Sequence, residues 1–189
     1  MRRVYLIRHG LTVGNRRRRY IGRTDEPLCA EGRAALSTAP LAGIEAVYVS
    51  PLLRARETAA ILFPSARQIV VDGLREMDFG AFENRSADDM KDDAAYRAWV
   101  DGLCEGDCPG GENRRGFIAR TVWAFEGICE ACGDEPLVIV AHGGTIMALM
   151  SELGEPKKDY WAWHVRTGGC LRCALDGGRL RYEGDGFDA

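Results

Sequence analysis

The chain has 189 residues, of which 46% are apolar, enough to bury one sizeable core and too many for a disordered protein. Its 25 basic and 28 acidic residues give a formal charge of -3, which excludes a general electrostatic attraction to nucleic acid. No apolar run approaches the roughly 20 residues that a membrane span needs.

The same features predict one domain over residues 1–189. The first eight residues contain too short an apolar run for a secretory signal, so we expect a cytoplasmic protein. No linker composition or internal repeat divides the chain.

The first predicted element is a strand over residues 4–7, an unbroken apolar run that stops at Arg8-His9-Gly10. In open α/β sheets, ligands bind outside the carboxyl ends of strands, and Gly10 permits a tight turn there. The guanidinium of Arg8 suits phosphate or carboxylate, so this strand end is predicted to bind an anion. The alternative is that Arg8 and His9 are ordinary polar residues that close a strand.

A loop rich in glycine and arginine is predicted over residues 12–28. It contains the basic run 16–19. Such a run is most often a solvated loop. Because it begins seven residues after His9, it can also attract an anionic substrate to the strand end.

The next predicted elements are a helix that begins after Leu28 and stops before Pro40, a strand over residues 45–49, and a helix over residues 52–62. Ser50 is the predicted N-cap of this second helix. Arg54 lies in its first turn, where unpaired amides and the helix dipole favour anions, so it can complete an anion pocket. The alternative is a surface ion pair between Arg54 and Glu57.

Further along, we predict a strand over residues 68–71, a loop over 72–80 that carries Glu76 and Asp78, and helices over 86–100 and 113–131. The apolar stripe of the last helix is more typical of core than of a site. Residues 136–141 form another apolar strand, which runs into His142-Gly143-Gly144 and a helix over 145–153. A short helical segment over 160–163 and a hairpin of residues 169–175 and 179–182 follow.

Seven cysteines include two Cys-x2-Cys pairs, at 129 and 132 and at 170 and 173, which together are similar to two halves of a zinc site. Because Cys170 and Cys173 fall in a predicted strand, a spacing of three points them to opposite faces. Buried thiols in a reducing compartment are therefore the favoured interpretation. A disulfide between Cys104 and Cys108 is left open.

The chain has three histidines, and His9 and His142 both follow apolar strands and precede glycine. If the two strands are neighbours, both imidazoles converge with Arg8 and Arg54 into a cationic site for a phosphate monoester. A neutral imidazole can attack phosphorus to form a phosphohistidine. A carboxyl group must protonate the leaving alkoxide, and of the two candidates, Glu76 and Asp78, the pattern favours Glu76.

Four motifs occur in sequence order between residue 3 and about residue 175. They are Arg8-His9-Gly10, Ser50-Pro51-Leu52-Leu53-Arg54-Ala55 with Thr58-Ala59, Glu76 before Phe79-Gly80, and Val140-Ala141-His142-Gly143-Gly144. Together they resemble the histidine phosphatase superfamily, the phosphoglycerate-mutase-like enzymes. The resemblance implies an α/β fold, a three-layer α/β/α sandwich with a mostly parallel central sheet.

The resemblance also implies roles for individual residues. His9 would accept the phosphoryl group, Glu76 would donate the proton, and Arg8, Arg54 and His142 would bind phosphate. Asn15 and the Gly143 amide would assist, and Gly22 and Thr24 complete the predicted substrate-binding set. No metal and no cofactor is required.

Within the superfamily, segments 76–83, 98–99 and 110–112 are similar to the small phosphatases, a branch that includes the α-ribazole phosphatases of cobalamin assembly. The length leaves little room for the insertion of the longer mutases. The expected partner is a small phosphate monoester, without nucleic acid or membrane, and a homodimer is left open. A phosphoglycerate mutase and a non-catalytic phospholigand-binding module are the alternatives. His164 lies outside every motif and is predicted to be structural.

Overall fold

The computed structural model describes residues 1–133 and 135–187. Its strands form one seven-stranded sheet. The strands are β1 (Arg2–Arg8), β2 (Ala46–Val49), β3 (Arg67–Val70), β4 (Leu137–Ala141), β5 (Gly154–Glu155), β6 (Cys170–Asp176) and β7 (Arg179–Asp185). The helices are α1 (Val13–Arg16), α2 (Ala30–Ala34), α3 (Leu53–Leu62), α4 (Ala94–Asp101), α5 (Arg114–Ala131) and α6 (Gly143–Leu153).

The sheet has the order β3-β2-β4-β1-β6-β7-β5. Neighbours from β3 to β1 are parallel, and β6 is antiparallel to both β1 and β7. Strands β1 and β4 are therefore adjacent and parallel, with Arg8 opposite Ala141. This register places the residues that follow the two strands, His9 and His142, side by side at one edge of the sheet.

Alternating side chains of the central strands pack on opposite faces of the sheet. Val4 and Leu6 join a core with apolar residues of α5 and α6. Tyr5 and Ile7 join a second core with α3. Since a strand alternates its side chains and both faces are covered by helices, the long apolar runs of the sequence are explained. The three-layer α/β/α fold with a mostly parallel sheet is confirmed.

A third apolar cluster connects the segment between β3 and α5 to the rest of the molecule. Phe82, Tyr96 and Trp99 from that segment pack with Phe117 of α5 and Ala148 of α6. Short 3-10 turns, Asp72–Leu74, Gly80–Phe82 and Asp88–Met90, interrupt it. This cluster fixes the segment beside the carboxyl edge of the sheet by side-chain packing rather than by strand pairing.

The strand predictions are confirmed to within a few residues, and the helix predictions differ more. The predicted loop 12–28 contains α1, the helix predicted after Leu28 ends at Ala34, and the short strand β5 was not predicted. The helix predicted over 86–100 is confirmed only from Ala94 on. A 3-10 turn precedes it, and the Asp93 carboxylate accepts the amides of Ala95 and Tyr96 and starts α4.

The structure also describes the cysteines, the groups that could hold a metal and the helices that could cross a membrane. Cys170 and Cys173 lie in opposite cores, as their spacing predicted, and all seven cysteines are free thiols. Within the described ranges, no group of three or more His, Cys, Asp and Glu side chains is placed to hold a metal ion. None of the helices in those ranges has the length and apolar content that crossing a membrane demands.

Candidate active site

The two histidines that follow β1 and β4 meet at the sheet edge. The His9 amide donates to the Ala141 carbonyl across the strand pair, at 3.0 Å. The imidazole rings of His9 and His142 lie 5.1 Å apart, centroid to centroid, with an interplanar angle of 62°. The expected convergence of the two imidazoles is confirmed.

The environment of His9 sets its tautomer and its charge. Its Nδ1 lies 2.7 Å from the Gly10 carbonyl oxygen. Because a carbonyl only accepts hydrogen bonds, Nδ1 carries the hydrogen and Nε2 keeps a lone pair. Burial, with the charges of Arg54 and Arg8, holds the pKa of His9 well below its usual value. His9 is therefore a neutral imidazole with a free Nε2 at neutral pH.

The backbone of Gly10 is held in place by helix α3. Its amide donates to the Thr58 hydroxyl at 2.9 Å, and this hydroxyl donates to the Arg54 carbonyl at 2.7 Å. The backbone that orients His9 is thus tied to the helix that carries Arg54.

Arg8, the last residue of β1, is anchored through one end of its guanidinium. Its Nη1 donates to the Val165 carbonyl at 2.7 Å and lies 3.3 Å from His164 Nε2. Since a guanidinium only donates, Nε2 of His164 accepts this bond. The buried Nε of Arg8 has no hydrogen-bond partner. Burial lowers the pKa of Arg8, and the Glu76 charge opposes that shift.

Arg54, in the first turn of α3, is completely buried. Its Nη1 donates to the Thr24 carbonyl at 2.7 Å, and its Nη2 donates to the Gly22 carbonyl at 2.8 Å. The alternative of an Arg54–Glu57 ion pair is wrong, because Glu57 pairs with Arg33 at 2.5 Å. Burial lowers the pKa of both His9 and His142, and the charge of Arg54 lowers it further.

His142 is fully buried and occupies the N-cap position of α6, without a side-chain hydrogen bond to the helix. Its Nε2 lies 2.7 Å from the Ser50 hydroxyl. Burial, with the charges of Arg54, His9 and Arg8, holds the pKa of His142 well below its usual value. The prediction that Ser50 caps α3 is wrong: the N-cap is Leu52, and the Ser50 hydroxyl faces His142 instead.

Unpaired nitrogens concentrate in this cluster. In the described part of the chain, four buried side-chain nitrogens lack a partner, and three of them belong to Arg8, Arg54 and His142. A buried polar atom without a partner costs about 1–3 kcal/mol, so such a concentration calls for an explanation. An anion between these side chains would provide one.

Glu76 faces the same cluster from the segment between β3 and α5. Its carboxylate accepts the amides of Met77 and Gly144, both at 2.9 Å. Burial raises the pKa of Glu76, although these two hydrogen bonds and the charges of Arg54 and Arg8 act in the opposite direction. A Cβ on Gly144 would collide with the carboxylate, which explains the second glycine after His142.

Asp78, the other candidate acid, has a different environment. Its carboxylate accepts the Gly80 amide at 2.8 Å and lies 3.4 Å from an Arg23 guanidinium nitrogen. It is not among the residues that line the cavity beside His9. The geometry therefore favours Glu76 as the proton donor.

A cavity of about 260 Å³ opens at this edge of the sheet. Arg8, His9, Glu76, Gly143 and Gly144 line its inner end, and Asn15 lies beside them. We call the side chains of Arg8, His9, Arg54, Glu76 and His142 the phosphate end; Arg54 and His142 lie behind the cavity surface. A larger groove of about 780 Å³ runs along α5 beside Trp123 and includes neither histidine of the phosphate end.

Aromatic side chains form the other side of the cavity, which we call the outer wall. They are Tyr20, Phe79, Trp99, Tyr160 and Trp161. The rings of Tyr20, Phe79 and Trp99 contact one another, with Tyr20 and Phe79 5.2 Å apart between centroids. The rings of Tyr160 and Trp161 form a second pair, 5.0 Å apart. The Arg114 guanidinium lies 4.8 Å from the Tyr160 ring centroid and 5.1 Å from that of Trp161.

The remaining predicted binding residues lie at different depths. Asn15 lines the cavity and accepts the Thr12 amide at 3.4 Å. Gly22 and Thr24 lie behind Arg54: the Gly22 amide and the Thr24 hydroxyl both donate to the Glu83 carboxylate, at 3.0 and 2.7 Å. Their contact with a ligand stays a prediction.

Within the basic run, only Arg19 lines the cavity. Arg16 pairs with Glu31 on the surface at 2.6 Å, and residues 17 and 18 are exposed. The two interpretations of this run therefore apply to different residues: the surface pair and the exposed positions are solvated, and Arg19 faces the space beside His9.

Sequence reasoning missed His164, Ser50 and the outer wall. His164, predicted to be structural, lines the cavity and contacts Arg8. Burial, with the charge of Arg8, lowers its pKa. No pattern in the sequence separates the aromatic residues of the outer wall from core aromatics, because that distinction depends on how two distant segments fold over the sheet edge.

Comparisons with known proteins agree on the family. The family described as the histidine phosphatase superfamily (branch 1) matches residues 4–185. A relative from Escherichia coli O1:K1, named "Probable phosphoglycerate mutase GpmB", is 34% identical and covers 97% of this chain and 86% of its own length.

Two solved structures are also similar to this chain. TTHB049 from Thermus thermophilus has a TM-score of 0.75 and 31% identity over 99% of both chains. An α-ribazole phosphatase from Shigella flexneri has a TM-score of 0.85, covering 96% of this chain and 94% of its own. With 24% identity, this last similarity concerns the fold.

Proposed function

Because the chain belongs to the histidine phosphatase superfamily, we propose that it hydrolyses a small phosphate monoester through a phosphohistidine intermediate. One observation carries this proposal: the free Nε2 of a neutral His9 and a buried Glu76 carboxyl face the same cavity, between Arg8 and the α6 amino terminus. Nucleophile, proton donor and cationic anchor are thus within one site.

In the first step, His9 Nε2 attacks phosphorus as the bond between phosphorus and the ester oxygen breaks. The leaving oxygen takes a proton from Glu76, whose raised pKa keeps the carboxyl group protonated to higher pH than usual. Phosphorylated His9 is positively charged while Nδ1 keeps its hydrogen, and the Gly10 carbonyl at 2.7 Å stabilises that charge. The unpaired nitrogens of Arg8, Arg54 and His142 are the donors for the phosphoryl oxygens.

In the second step, water attacks the phosphohistidine. Glu76, now a carboxylate, takes a proton from this water, the bond between phosphorus and Nε2 breaks, and inorganic phosphate leaves. His9 and Glu76 return to their starting states. The complete reaction consumes only one ester and one water molecule.

The outer wall supports a leaving group with an aromatic ring system. Five aromatic side chains around one small cavity offer flat apolar surface, against which a planar ring stacks favourably. α-Ribazole 5'-phosphate, whose alcohol carries a fused aromatic base, has this character. The fold similarity to α-ribazole phosphatase makes it the first substrate to test.

A phosphoglycerate mutase is the second candidate, and the relative named as a probable mutase favours it. A mutase would return the phosphoryl group from His9 to a second hydroxyl of the substrate instead of to water. Phosphoglycerates have no aromatic part, so the outer wall would have no ring to stack on.

Product analysis separates the two. The protein is incubated with α-ribazole 5'-phosphate, β-glycerophosphate and 3-phosphoglycerate, the last with a trace of 2,3-bisphosphoglycerate. We expect phosphate release, with the lowest KM for α-ribazole 5'-phosphate and no 2-phosphoglycerate in the phosphorus NMR spectrum. Interconversion of the phosphoglycerates without phosphate release would overturn the hydrolase proposal and favour the mutase.

A further inference from the structure

Ser50 belongs to one of the four motifs, but the resemblance gives it no role. It follows β2 at the same sheet edge as the two histidines, and its side chain is completely buried. Its hydroxyl lies 3.4 Å from the Leu52 amide and 2.7 Å from His142 Nε2. It therefore contacts one catalytic imidazole from behind.

The donors and acceptors around this hydroxyl fix the direction of the shorter bond. The Leu52 amide can only donate, so Ser50 Oγ accepts from it. If His142 Nε2 also donated, the buried hydroxyl hydrogen would have no acceptor among these contacts, and His142 Nδ1 would be a second unpaired atom. If Ser50 donates to Nε2, only the Nδ1 hydrogen is left without a partner.

We propose that Ser50 is a positioning residue: it donates its hydroxyl hydrogen to Nε2 of His142 and thereby holds the imidazole in the tautomer with hydrogen on Nδ1. Nε2 is occupied by Ser50, so Nδ1 is the only ring nitrogen left for a phosphate oxygen. That Nδ1 meets a phosphate oxygen rests on the proposed function. The tautomer itself is assigned from the hydrogen bonds of Ser50 and does not rest on it.

The tautomer matters because a phosphate dianion only accepts hydrogen bonds. With hydrogen on Nδ1, His142 offers it a donor, while the other tautomer would turn a lone pair towards the anion. The question arises because the ring is neutral: burial, with the charges of Arg54, His9 and Arg8, keeps the pKa of His142 low. A doubly protonated imidazolium would need no Ser50.

The direct test is a two-bond proton–nitrogen NMR correlation on protein labelled at histidine. Only three imidazoles contribute, and a His164→Asn variant assigns one of them. In the unliganded wild type, we expect His142 to show a protonated Nδ1 and a bare Nε2. A bare Nδ1, or two protonated nitrogens, would overturn the proposal. The tautomer itself is measured on the wild type, and the variant serves only for assignment.

Variants then test whether Ser50 is the cause. Ser50→Ala removes the donor to Nε2, and Ser151→Ala is the matched control, because Ser151 is a buried serine whose hydroxyl donates to the Ala148 carbonyl at 3.0 Å. Loss of one hydrogen bond of about 1.4 kcal/mol shifts an equilibrium about tenfold. We therefore expect the other tautomer of His142 to appear in Ser50→Ala, and the Kd for inorganic phosphate to rise about tenfold relative to Ser151→Ala.

A Ser50→Ala spectrum with the wild-type tautomer, or a Kd within twofold of the control, would overturn the role of Ser50. Both measurements are made without turnover. A wild type that binds phosphate with the expected tautomer but releases none from any ester would instead contradict the proposed function and leave the inference about Ser50 intact.

Discussion

At the phosphate end of the cavity, His9 and His142 follow neighbouring strands and Arg54 lies in the first turn of a helix. The outer wall instead consists of aromatic side chains from segments outside the sheet. The phosphate end is held by short hydrogen bonds, many of them to backbone atoms, such as that from His9 to Gly10 at 2.7 Å. The outer wall is held by ring contacts with centroids 5.0–6.4 Å apart, such as Tyr20 with Trp99 at 5.7 Å.

This difference separates chemistry from selectivity. Backbone-anchored groups keep their geometry when a neighbouring side chain changes, so the reaction can be common to many related chains. A wall of packed rings is altered by single substitutions, so the accepted alcohol can change without loss of the reaction. Changes at the phosphate end should affect all substrates, and changes in the outer wall should affect only some.

The largest effect is expected from His9→Ala. Without the nucleophile, kcat should fall about a thousandfold or more for every ester, because the remaining groups only bind the phosphate. The measurement is phosphate release, with circular dichroism to check that the fold is retained. A folded variant that keeps a tenth of the wild-type activity would rule out His9 as the nucleophile.

The next largest effect is expected from Glu76→Gln, which removes the group that protonates the leaving oxygen. The variant cannot protonate the leaving oxygen, so kcat for an alkyl phosphate should fall about a hundredfold or more. For p-nitrophenyl phosphate, whose leaving group needs no proton, the first step should be much less affected. Asp78→Asn is the control, because that carboxylate lies outside the cavity lining. Equal loss for both esters in pre-steady-state bursts would remove Glu76 from the acid role.

A smaller and selective effect is expected from the outer wall. Trp161→Ala removes a ring that lines the cavity and is 52% exposed, so the fold should tolerate it. Loss of one stacking contact should raise KM for an aromatic alcohol ester about tenfold and leave β-glycerophosphate within about twofold. Trp123→Ala, a 76% exposed tryptophan outside this cavity, is the matched control. A uniform loss for both esters would contradict the division into two regions.

The smallest expected effect is that of His9 on the free energy of unfolding as the pH falls. Because burial and the nearby arginines hold the pKa of His9 well below 6.5, the unfolded chain binds a proton there before the folded protein does. As the pH falls below 6.5, His9 therefore lowers the free energy of unfolding by about 1.4 kcal/mol for each pH unit, until the pH reaches the pKa of His9 in the folded protein. Glu76 opposes this, since its raised pKa makes the folded protein bind a proton first.

The other titratable groups are the same in wild type and in His9→Gln, so the difference between the two proteins isolates the contribution of His9. In urea unfolding between about pH 7 and pH 5.5, the stability of wild type should fall, relative to the variant, with a slope that approaches about 1.4 kcal/mol per pH unit below pH 6.5. Parallel curves would show that His9 titrates normally in the folded state.

Much of the phosphate end could be predicted from the sequence, whereas the outer wall could not. Arg8, His9 and His142 were placed correctly because apolar runs end at them and parallel strands end at one sheet edge. Glu76 was predicted through its motif and its acidic character, and it lines the same cavity as His9. In each case the relevant information is local in the sequence, and the sheet brings the parts together.

The outer wall, Ser50 and His164 depend on tertiary contacts. Ser50 has the pattern of a helix cap, and only the position of β4 next to β2 shows that its hydroxyl faces His142. His164 follows the short helical turn Tyr160–Trp163, and nothing in the sequence shows that this turn brings it to Arg8. The helix predicted over 86–100 begins only at Ala94, because the side chain of Asp93 caps it there.

The most direct test of the central claim is the stereochemical course at phosphorus. The protein transfers the phosphoryl group of a phosphate ester, made chiral with three oxygen isotopes, to an alcohol acceptor, and the configuration of the product ester is determined by NMR. Transfer through a phosphohistidine consists of two in-line displacements, so we predict overall retention of configuration. Inversion would show a single direct displacement by the acceptor and would contradict the assignment of His9 as the group that carries the phosphoryl group.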